Sequence, residues 1–252
     1  LTRRERLRTI EIIADESRGR VPVLAGAGGY DTKEVIESAA DMTKAGAQGL
    51  LSVTPYYNKP SQEGLYQHYR AIADSTALPI LVYNVPGRTG VNVEVDTLVR
   101  LAALPNIVGV KEASGNVTQM CEICAAVPHD FIVLSGDDAL TLPLMAVGGR
   151  GIISVASNEI PAEMVQMVEA AERGDFAAAR ATHTRILPLM QINFVEANPI
   201  PVKAAMAAMG LIEEVYRLPL VPPKKESTEK IARVLRELGL VEGDSKRVAL
   251  HR

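Results

Sequence analysis

The chain has few of the residues that would support a disulfide-stapled or membrane-embedded fold. It contains no tryptophan and only two cysteines among 252 residues, and aromatic side chains make up 4% of it. Its longest apolar stretches are interrupted by Gly, Pro or charge well before the roughly 18 residues that a transmembrane helix requires. A charged segment follows Leu1 directly, so we expect no secretory signal, no membrane partner and a reducing, cytoplasmic setting.

Charge of either sign is also not in large excess. The 27 basic and 30 acidic side chains leave a formal net charge of −3. This balance gives no electrostatic reason to expect nucleic acid or an acidic membrane as a partner. A short basic cluster at Arg3, Arg4, Arg6 and Arg8 shares its helical turn with Glu5, and we expect a solvated helix face there.

Two short motifs have residue types that bind metals elsewhere. Cys121 and Cys124 form a Cys-x-x-Cys pair, but no thioredoxin-like pattern surrounds it and no second pair completes a zinc site. We expect both thiols to pack on one helix face as small hydrophobes. Asp137 and Asp138 have no histidine or further carboxylate nearby in sequence, so capping of the following helix is the expected role. The sequence therefore indicates no metal.

Short apolar runs that alternate with longer helical patterns are the main structural signal. The centres of the runs, from Val23 to Ile153, lie roughly 20–30 residues apart, which leaves room for a loop and a crossover helix in each interval. Near-continuous apolar strands followed by amphipathic helices predict a parallel sheet that is covered on its faces. The six predicted strands are Val21–Ala25, Gly49–Thr54, Ile80–Asn84, Ile107–Lys111, Phe131–Ser135 and Gly151–Val155.

The Gly-rich loop at Ala25–Gly29 raises the question of nucleotide binding. It lacks the G-x-G-x-x-G spacing of a dinucleotide fold and the Lys-Ser/Thr ending of a P-loop. A (β/α)8 barrel is therefore favoured over an open Rossmann-like sheet, and in such a barrel the chemistry lies at the carboxyl ends of the strands.

The helical patterns are punctuated and then dominate the end of the chain. Thr32 is the predicted N-cap of a helix ending at Lys44, and Asn116 caps a later helix. We expect a barrel region over 1–174, a helical C-terminal region over 175–252, and a mobile tail at Ser245–Arg252. The helices predicted in the C-terminal region are Phe176–Phe194, Pro201–Met209 and Ser227–Leu238.

Lys111 and Tyr83 end neighbouring predicted strands. A lysine at a strand end beside apolar walls is partly desolvated, which lowers its pKa and makes a nucleophilic amine available. A tyrosine on the adjacent strand end could pass protons to the same substrate. Taken alone, a lysine at a strand end is more often structural or merely solvated, and a tyrosine there could equally be packed at the barrel rim.

The loops that follow two strands carry further candidates. Arg88 lies in Pro86-Gly87-Arg88-Thr89-Gly90, where a guanidinium suits a substrate carboxylate, although a surface salt bridge is the ordinary alternative. Tyr56 and Tyr57 lie in an exposed loop, which favours an active site or a subunit contact.

Five segments together resemble the dihydrodipicolinate synthase family, in that family's order and through essentially the whole chain. They are Thr54–Tyr69, Tyr83–Gly90 (YNVPGRTG), Gly109–Gly115 (GVKEASG), Leu134–Asp138 (LSGDD) and Glu196–Lys203 (EANPIPVK). The resemblance implies a (β/α)8 TIM barrel with a helical C-terminal region, assembled as a homotetramer.

The resemblance also implies roles. Lys111 would be the Schiff-base lysine, Tyr83 the proton donor and acceptor, and Tyr57 a tyrosine lent across a subunit interface. Arg88 would receive the carboxylate of aspartate semialdehyde. The residues implied to line the pyruvate pocket are Gly136 and Ile153.

The implied reaction is a lyase-type condensation of pyruvate with aspartate semialdehyde in lysine (diaminopimelate) biosynthesis, without metal or cofactor. Two alternatives stay open. Another pyruvate aldolase, such as N-acetylneuraminate lyase, shares the Tyr and Lys chemistry, and a truncated barrel could serve only as a scaffold.

The sequence departs from the family pattern in two places. Two initial strands and a Gly-Thr-Thr-Gly-Glu stretch have no counterpart, and a chain lacking them is expected to have little activity because substrate positioning is lost. The family's lysine-inhibitor site corresponds to Tyr56, Glu34 and Tyr30. Arg3, Arg6 and Tyr30 replace residues typical of the lysine-sensitive type, so feedback inhibition by lysine is not expected.

Overall fold

A computed structural model describes residues 1–242, so the tail predicted at Ser245–Arg252 lies outside the described residues. Six strands form one sheet in which every adjacent pair is parallel and the spatial order follows the chain order. The predicted six-stranded parallel α/β fold is therefore confirmed. The strands are β1 (Leu24–Gly26), β2 (Gly49–Val53), β3 (Ile80–Asn84), β4 (Ile107–Glu112), β5 (Ile132–Ser135) and β6 (Gly151–Ile152).

One helix precedes β1, and further helices occupy the intervals between strands and follow the last strand. Those before β6 are α1 (Arg3–Ser17), α2 (Thr32–Lys44), α3 (Gln62–Ser75), α4 (Pro86–Thr89), α5 (Val95–Ala102), α6 (Val117–Ala126) and α7 (Thr141–Ala146). Those after it are α8 (Pro161–Glu172), α9 (Phe176–Ile192), α10 (Ile200–Ala208) and α11 (Lys225–Glu237). Within residues 1–242, no helix is both long and apolar enough to cross a membrane.

The chain divides into two compact units. The first comprises Leu1–Gly136 and Val147–Ile152 and holds all six strands. Of the described residues, the second comprises Asp137–Ala146 and those from 153 to 242. These compact units do not coincide with the predicted domain boundary after residue 174. That domain boundary remains a prediction.

The sheet of the first unit packs closely where β4 passes between its neighbours. A Cβ atom at Gly109 would lie 2.8 Å from Leu81 Cδ2 on β3 and would collide with the Ile132 carbonyl oxygen on β5. Glycine is therefore required at this position. The register of the sheet aligns Val53, Tyr83 and Lys111 across β2, β3 and β4.

Of the two predicted N-cap residues, the structure confirms the one for α6 and replaces the one for α2. The Asn116 side chain accepts a hydrogen bond from Gln119 N at 3.2 Å, which confirms the predicted cap of α6. The predicted N-cap Thr32 is wrong: Asp31 caps α2 and accepts from Lys33 N at 2.8 Å. The hydroxyl of Thr32 lies 2.8 Å from Nδ1 of the buried His68 instead, so it is not available to the helix terminus.

The second unit has its own small apolar core and buried polar groups. Met145, Ala170, Ala171 and Ala179 pack together between α7, α8 and α9. Asp137 accepts from Ala139 N at 2.9 Å and so caps the next turn as predicted. For Asp138 the capping prediction is wrong.

Asp138 instead holds the segment that follows β6. Its buried Oδ2 accepts from Val155 N at 3.1 Å and from Ala156 N at 3.0 Å. Two backbone donors of a later loop reach this carboxylate because the fold brings that loop back to it, which no local sequence pattern shows.

Candidate active site

The carboxyl ends of β3 and β4 bring Tyr83 and Lys111 together. The two residues are direct partners in the parallel register, so their side chains point to the same face of the sheet. Lys111 Nζ lies 4.3 Å from the centroid of the Tyr83 ring. An amine and a phenol are therefore side by side at the edge of the sheet where barrel enzymes place their chemistry.

The environment of Tyr83 favours the neutral phenol. Burial raises the pKa of Tyr83, and the positive charge of Arg88 partly opposes that shift. A neutral phenol both donates and accepts a hydrogen bond, as a proton-transfer group must. The same observation places the Arg88 guanidinium close enough to Tyr83 to act on it electrostatically.

Gly136, the residue after β5, forms a wall of the lysine site. A Cβ atom there would lie 2.6 Å from Ala113 Cβ and 3.0 Å from Lys111 Cε. The backbone nitrogen of Gly136 donates to the Glu112 carbonyl at 2.7 Å. The missing side chain thus leaves room for the lysine stem against the chain, and any larger residue would push the stem aside.

A cavity of about 360 Å³ opens beside Tyr83 and is lined by both Tyr83 and Arg88. Its walls come from the carboxyl ends of β1, β2 and β3 and from α4. The lining residues are Gly26, Gly28, Leu51, Val53, Tyr56, Tyr83, Val85, Arg88 and Thr89. Sequence reasoning placed the loop holding Gly26 and Gly28 at a strand end, where a barrel has its chemistry, and rejected it as a nucleotide motif. It did not reveal that a Cβ at Gly28 would come 2.5 Å from Val53 Cγ1. The absence of a side chain at Gly28 allows the loop to pack closely against β2.

Three predicted tyrosines differ in their surroundings. Tyr56 packs edge-on against Tyr30, with ring centroids 5.4 Å apart. Tyr57 is 93% exposed and has a φ of 69°, so its side chain is not packed with the Tyr83–Lys111 pair of its own chain.

Two further predicted site residues differ in burial. Glu34 lies exposed in the first turn of α2. Ile153 lies in the second unit, directly after β6 in the chain, and is half-buried.

Sequence reasoning missed the polar residues that follow the pair. Asn84 and Glu112 are completely buried, and Asn84 Nδ2 donates to Glu112 Oε2 at 2.9 Å. The signal that could have found them is the repetition of a functional residue followed by a polar one, Tyr83-Asn84 and Lys111-Glu112, at two neighbouring strand ends.

Other reactive side chains lie apart from this cluster. The thiols of Cys121 and Cys124 are unbridged and half-buried, and burial raises the pKa of Cys124. Burial likewise lowers the pKa of His68 to about 4. In the described part of the chain, no group of three or more His, Cys, Asp or Glu residues could hold a metal ion.

Comparison with known proteins assigns this arrangement to a family. The sequence model of the dihydrodipicolinate synthetase family matches residues 1–238. The chain belongs to that family, so the enzyme class expected from the sequence motifs is confirmed.

Individual relatives agree over nearly the whole chain. The 4-hydroxy-tetrahydrodipicolinate synthase of Chlorobium phaeobacteroides is 53% identical over 96% of this chain and 82% of its own length. A pyruvate complex of chloride-inhibited dihydrodipicolinate synthase from Acinetobacter baumannii is 43% identical with a TM-score of 0.94, over 96% of this chain and 83% of that one. The lysine-bound enzyme from Cyanidioschyzon merolae is 42% identical with a TM-score of 0.92, over 96% and 82%.

Proposed function

We propose that the chain condenses pyruvate with aspartate semialdehyde to give 4-hydroxy-tetrahydrodipicolinate, with Lys111 as the Schiff-base residue. The observation that carries the proposal is the Lys111 amine held 4.3 Å above the Tyr83 ring at the carboxyl ends of adjacent strands. The named relatives, of which this chain spans about four fifths, act in the same biosynthetic step.

The amine of Lys111 would add to the ketone carbon of pyruvate. Loss of water from the resulting carbinolamine gives an imine, and loss of a methyl proton gives the enamine. The enamine carbon then bonds to the aldehyde carbon of aspartate semialdehyde, and attack by the amine of that substrate closes the ring and releases Lys111. The neutral phenol of Tyr83 is placed to give and take the protons of these steps.

The remaining predicted residues would position the two substrates. Arg88, at the cavity wall, would bind the carboxylate of aspartate semialdehyde with its two-pronged guanidinium. Gly136 and Ile153 would line the place of pyruvate. Tyr57, exposed on its own chain, would serve the site of a neighbouring copy in a homotetramer.

For the barrel we propose the eight-stranded form. Within residues 1–242, β1 and β6 each pair with a single strand and form the two edges of the sheet. Closing a (β/α)8 barrel needs two further strands between these edges. A form of the chain without them is expected to have lowered activity, because substrates would be held less firmly.

The test is borohydride reduction in the presence of pyruvate, followed by intact mass and peptide mapping. We expect one reduced pyruvate adduct, located on Lys111 and absent from Lys111→Arg. Lys225→Arg, which changes an exposed lysine, is the matched control and should retain the adduct. An adduct mapped elsewhere, or none on a folded chain, would refute the proposal. Turnover with a panel of aldehydes then separates the synthase from other pyruvate aldolases and from an inactive scaffold.

A further inference from the structure

A buried polar pair lies directly behind the amine and the phenol. Asn84 and Glu112 are partners in the same parallel register as Tyr83 and Lys111, one residue further along each strand. Because successive side chains of a strand point to opposite faces, the reactive pair and the polar pair stand back to back. Burying two polar groups costs free energy unless they are hydrogen-bonded. The hydrogen-bond partners of Asn84 and Glu112 therefore indicate which parts of the fold these two residues hold together.

Glu112 is surrounded by hydrogen-bond donors. Its Oε2 accepts from Asn84 Nδ2 at 2.9 Å and from Gln119 Nε2 at 3.5 Å, and its Oε1 accepts from Ser114 N at 2.7 Å. A side chain with two accepting oxygens fits this site. An amide in its place would turn one NH₂ group toward another donor.

Asn84 uses its whole amide group. Its Nδ2 donates to Asn92 Oδ1 at 2.9 Å in addition to Glu112, and its Oδ1 accepts from Val93 N at 3.0 Å. Asn92 Nδ2 donates in turn to Gln119 Oε1 at 2.8 Å. These bonds connect the two ends of the segment from residue 84 to residue 93.

That segment carries Arg88. The network therefore joins the strand end of Lys111, the strand end of Tyr83 and both ends of the segment that bears the guanidinium. Buried, fully satisfied polar networks hold their members in one arrangement. A reaction that needs an amine, a phenol and a guanidinium in fixed relative positions depends on such support.

We propose that Asn84 and Glu112 are positioning residues that set the geometry of Lys111, Tyr83 and the Arg88 segment. The reaction affected rests on the proposed function, whereas the effect on the position of Lys111 does not. Both residues act through their neighbours, because they face away from the reactive pair.

The test compares Glu112→Gln, Asn84→Asp and the double exchange Asn84→Asp/Glu112→Gln. In the double exchange the introduced amide at 112 donates to the introduced carboxylate at 84, so the cross-strand bond is restored in the opposite direction. Glu159→Gln, a buried carboxyl of the second unit, is the matched control. Circular dichroism and thermal melting establish that each variant is folded.

Two readouts are measured on each folded variant. The first is kcat, KM and the rate of pyruvate trapping at Lys111. The second is acylation of Lys111 by an amine-selective reagent, relative to Lys225, whose side chain is 87% exposed. We expect each single variant to lower kcat and trapping about tenfold to a hundredfold and to change relative labelling of Lys111 about fivefold. The double exchange should recover at least about fivefold over either single variant.

Other outcomes are decisive as well. Lowered melting temperature with trapping and labelling within about twofold of wild type would show a merely structural role and overturn the inference. A double exchange no better than the single variants would do the same. Absence of trapping in the wild type, with Lys111 labelling altered only in the variants, would refute the proposed function and leave the positioning role standing. Gln119→Met removes the side-chain bonds of Gln119 to Asn92, Val93 and Glu112. It gives the same readouts if a single variant does not fold, with an expected loss of about threefold.

Discussion

Each unit contains a buried glutamate bonded to an asparagine, and the two pairs are satisfied to different degrees. In the first pair every side-chain oxygen accepts a hydrogen bond: Glu112 Oε2 from Asn84 Nδ2, Glu112 Oε1 from Ser114 N, and Asn84 Oδ1 from Val93 N. Around Glu159, Asn193 Nδ2 donates to Oε2 at 2.6 Å. Three buried oxygens of this second region have no partner: Glu159 Oε1, Asp138 Oδ1 and Asn193 Oδ1.

The protonation of the second pair reflects this difference. Burial raises the pKa of Glu159 to about 7, the bond from Asn193 opposes the shift, and the charge of Asp138 adds to it. A carboxyl that keeps its proton near neutrality escapes the cost of a buried charge. Hydrogen-bond donors thus surround Glu112 in the first unit, whereas Glu159 in the second unit avoids a buried charge by retaining its proton.

The largest expected effect is the contrast between two Asn→Asp substitutions. Asn84→Asp places a second carboxylate against Glu112 and removes two donated bonds, so we expect a loss of about 3–5 kcal/mol in unfolding free energy. Asn193→Asp should lose only about 1–2 kcal/mol, because Glu159 retains a proton that it can donate. Urea unfolding at pH 6 measures both. Equal losses would remove the distinction between the two regions.

A pH series sharpens the same contrast. The folded chain holds a proton on Glu159 that the unfolded chain releases, since the pKa rises from 4.5 to about 7 on folding. The stabilisation is complete below pH 4.5 and is lost as the pH rises toward 7. Glu159→Gln should therefore match wild type in acid and exceed it by about 1–3 kcal/mol at pH 8.

Glu112→Gln should behave differently from Glu159→Gln at every pH. Its carboxyl oxygens face only donors, so the substitution is expected to destabilise the chain in acid and in base alike. Denaturant melts from pH 5 to pH 8 on both variants provide the measurement. A crossing of the Glu112→Gln curve with that of wild type would contradict the donor-lined description of its site.

Gly136→Ala tests how tightly the first region encloses Lys111. The added methyl group would lie 2.6 Å from Ala113 Cβ, so we expect a loss of about 1–3 kcal/mol and slower trapping of pyruvate. Gly87→Ala is the matched control for stability, because nothing lies within 4 Å of its Cβ position. Thermal melts that rank the two variants in the opposite order would be inconsistent with close packing at Gly136.

The smallest effect is expected at the tyrosine surface. Tyr30 and Tyr56 contact each other, but Arg3, Arg6 and Tyr30 differ from the residues expected of a lysine-sensitive enzyme. Titration calorimetry with L-lysine should give no saturable heat. Tight saturable binding would refute this expectation, and Tyr56→Ala would then show whether the aromatic pair forms the site.

The sequence was sufficient for the number, type and order of the strands because parallel strands buried on both faces appear as continuous apolar runs. Strand ends were less accurate. The run from Val21 to Ala25 became a strand from Leu24 to Gly26, and the run ending at Val155 became a strand ending at Ile152. Apolar character persists into loops that pack on the core, whereas ladder hydrogen bonds stop where the chain turns.

For the site, residues with chemistry at strand ends could be predicted, whereas their supporting bonds could not. Lys111 and Tyr83 could be paired because adjacent strands carry them to one edge. The bond from Asn84 to Glu112 joins residues 28 positions apart, and Asn92 enters it from a loop. Buried polar residues of this kind look the same in sequence as exposed ones, and only the fold distinguishes them.

The back-to-back arrangement of Tyr83-Asn84 and Lys111-Glu112 has a consequence for how this protein can change over generations. An insertion or deletion of one residue in either strand would exchange the two faces, burying an amine or a phenol and exposing the amide or the carboxyl. The order of the two residues in each dipeptide, and the register between the two strands, must therefore both be kept when the sequence changes. The segment that bears Arg88 is joined to this pair at its two ends, so the residues between those ends can change while the paired dipeptides stay as they are.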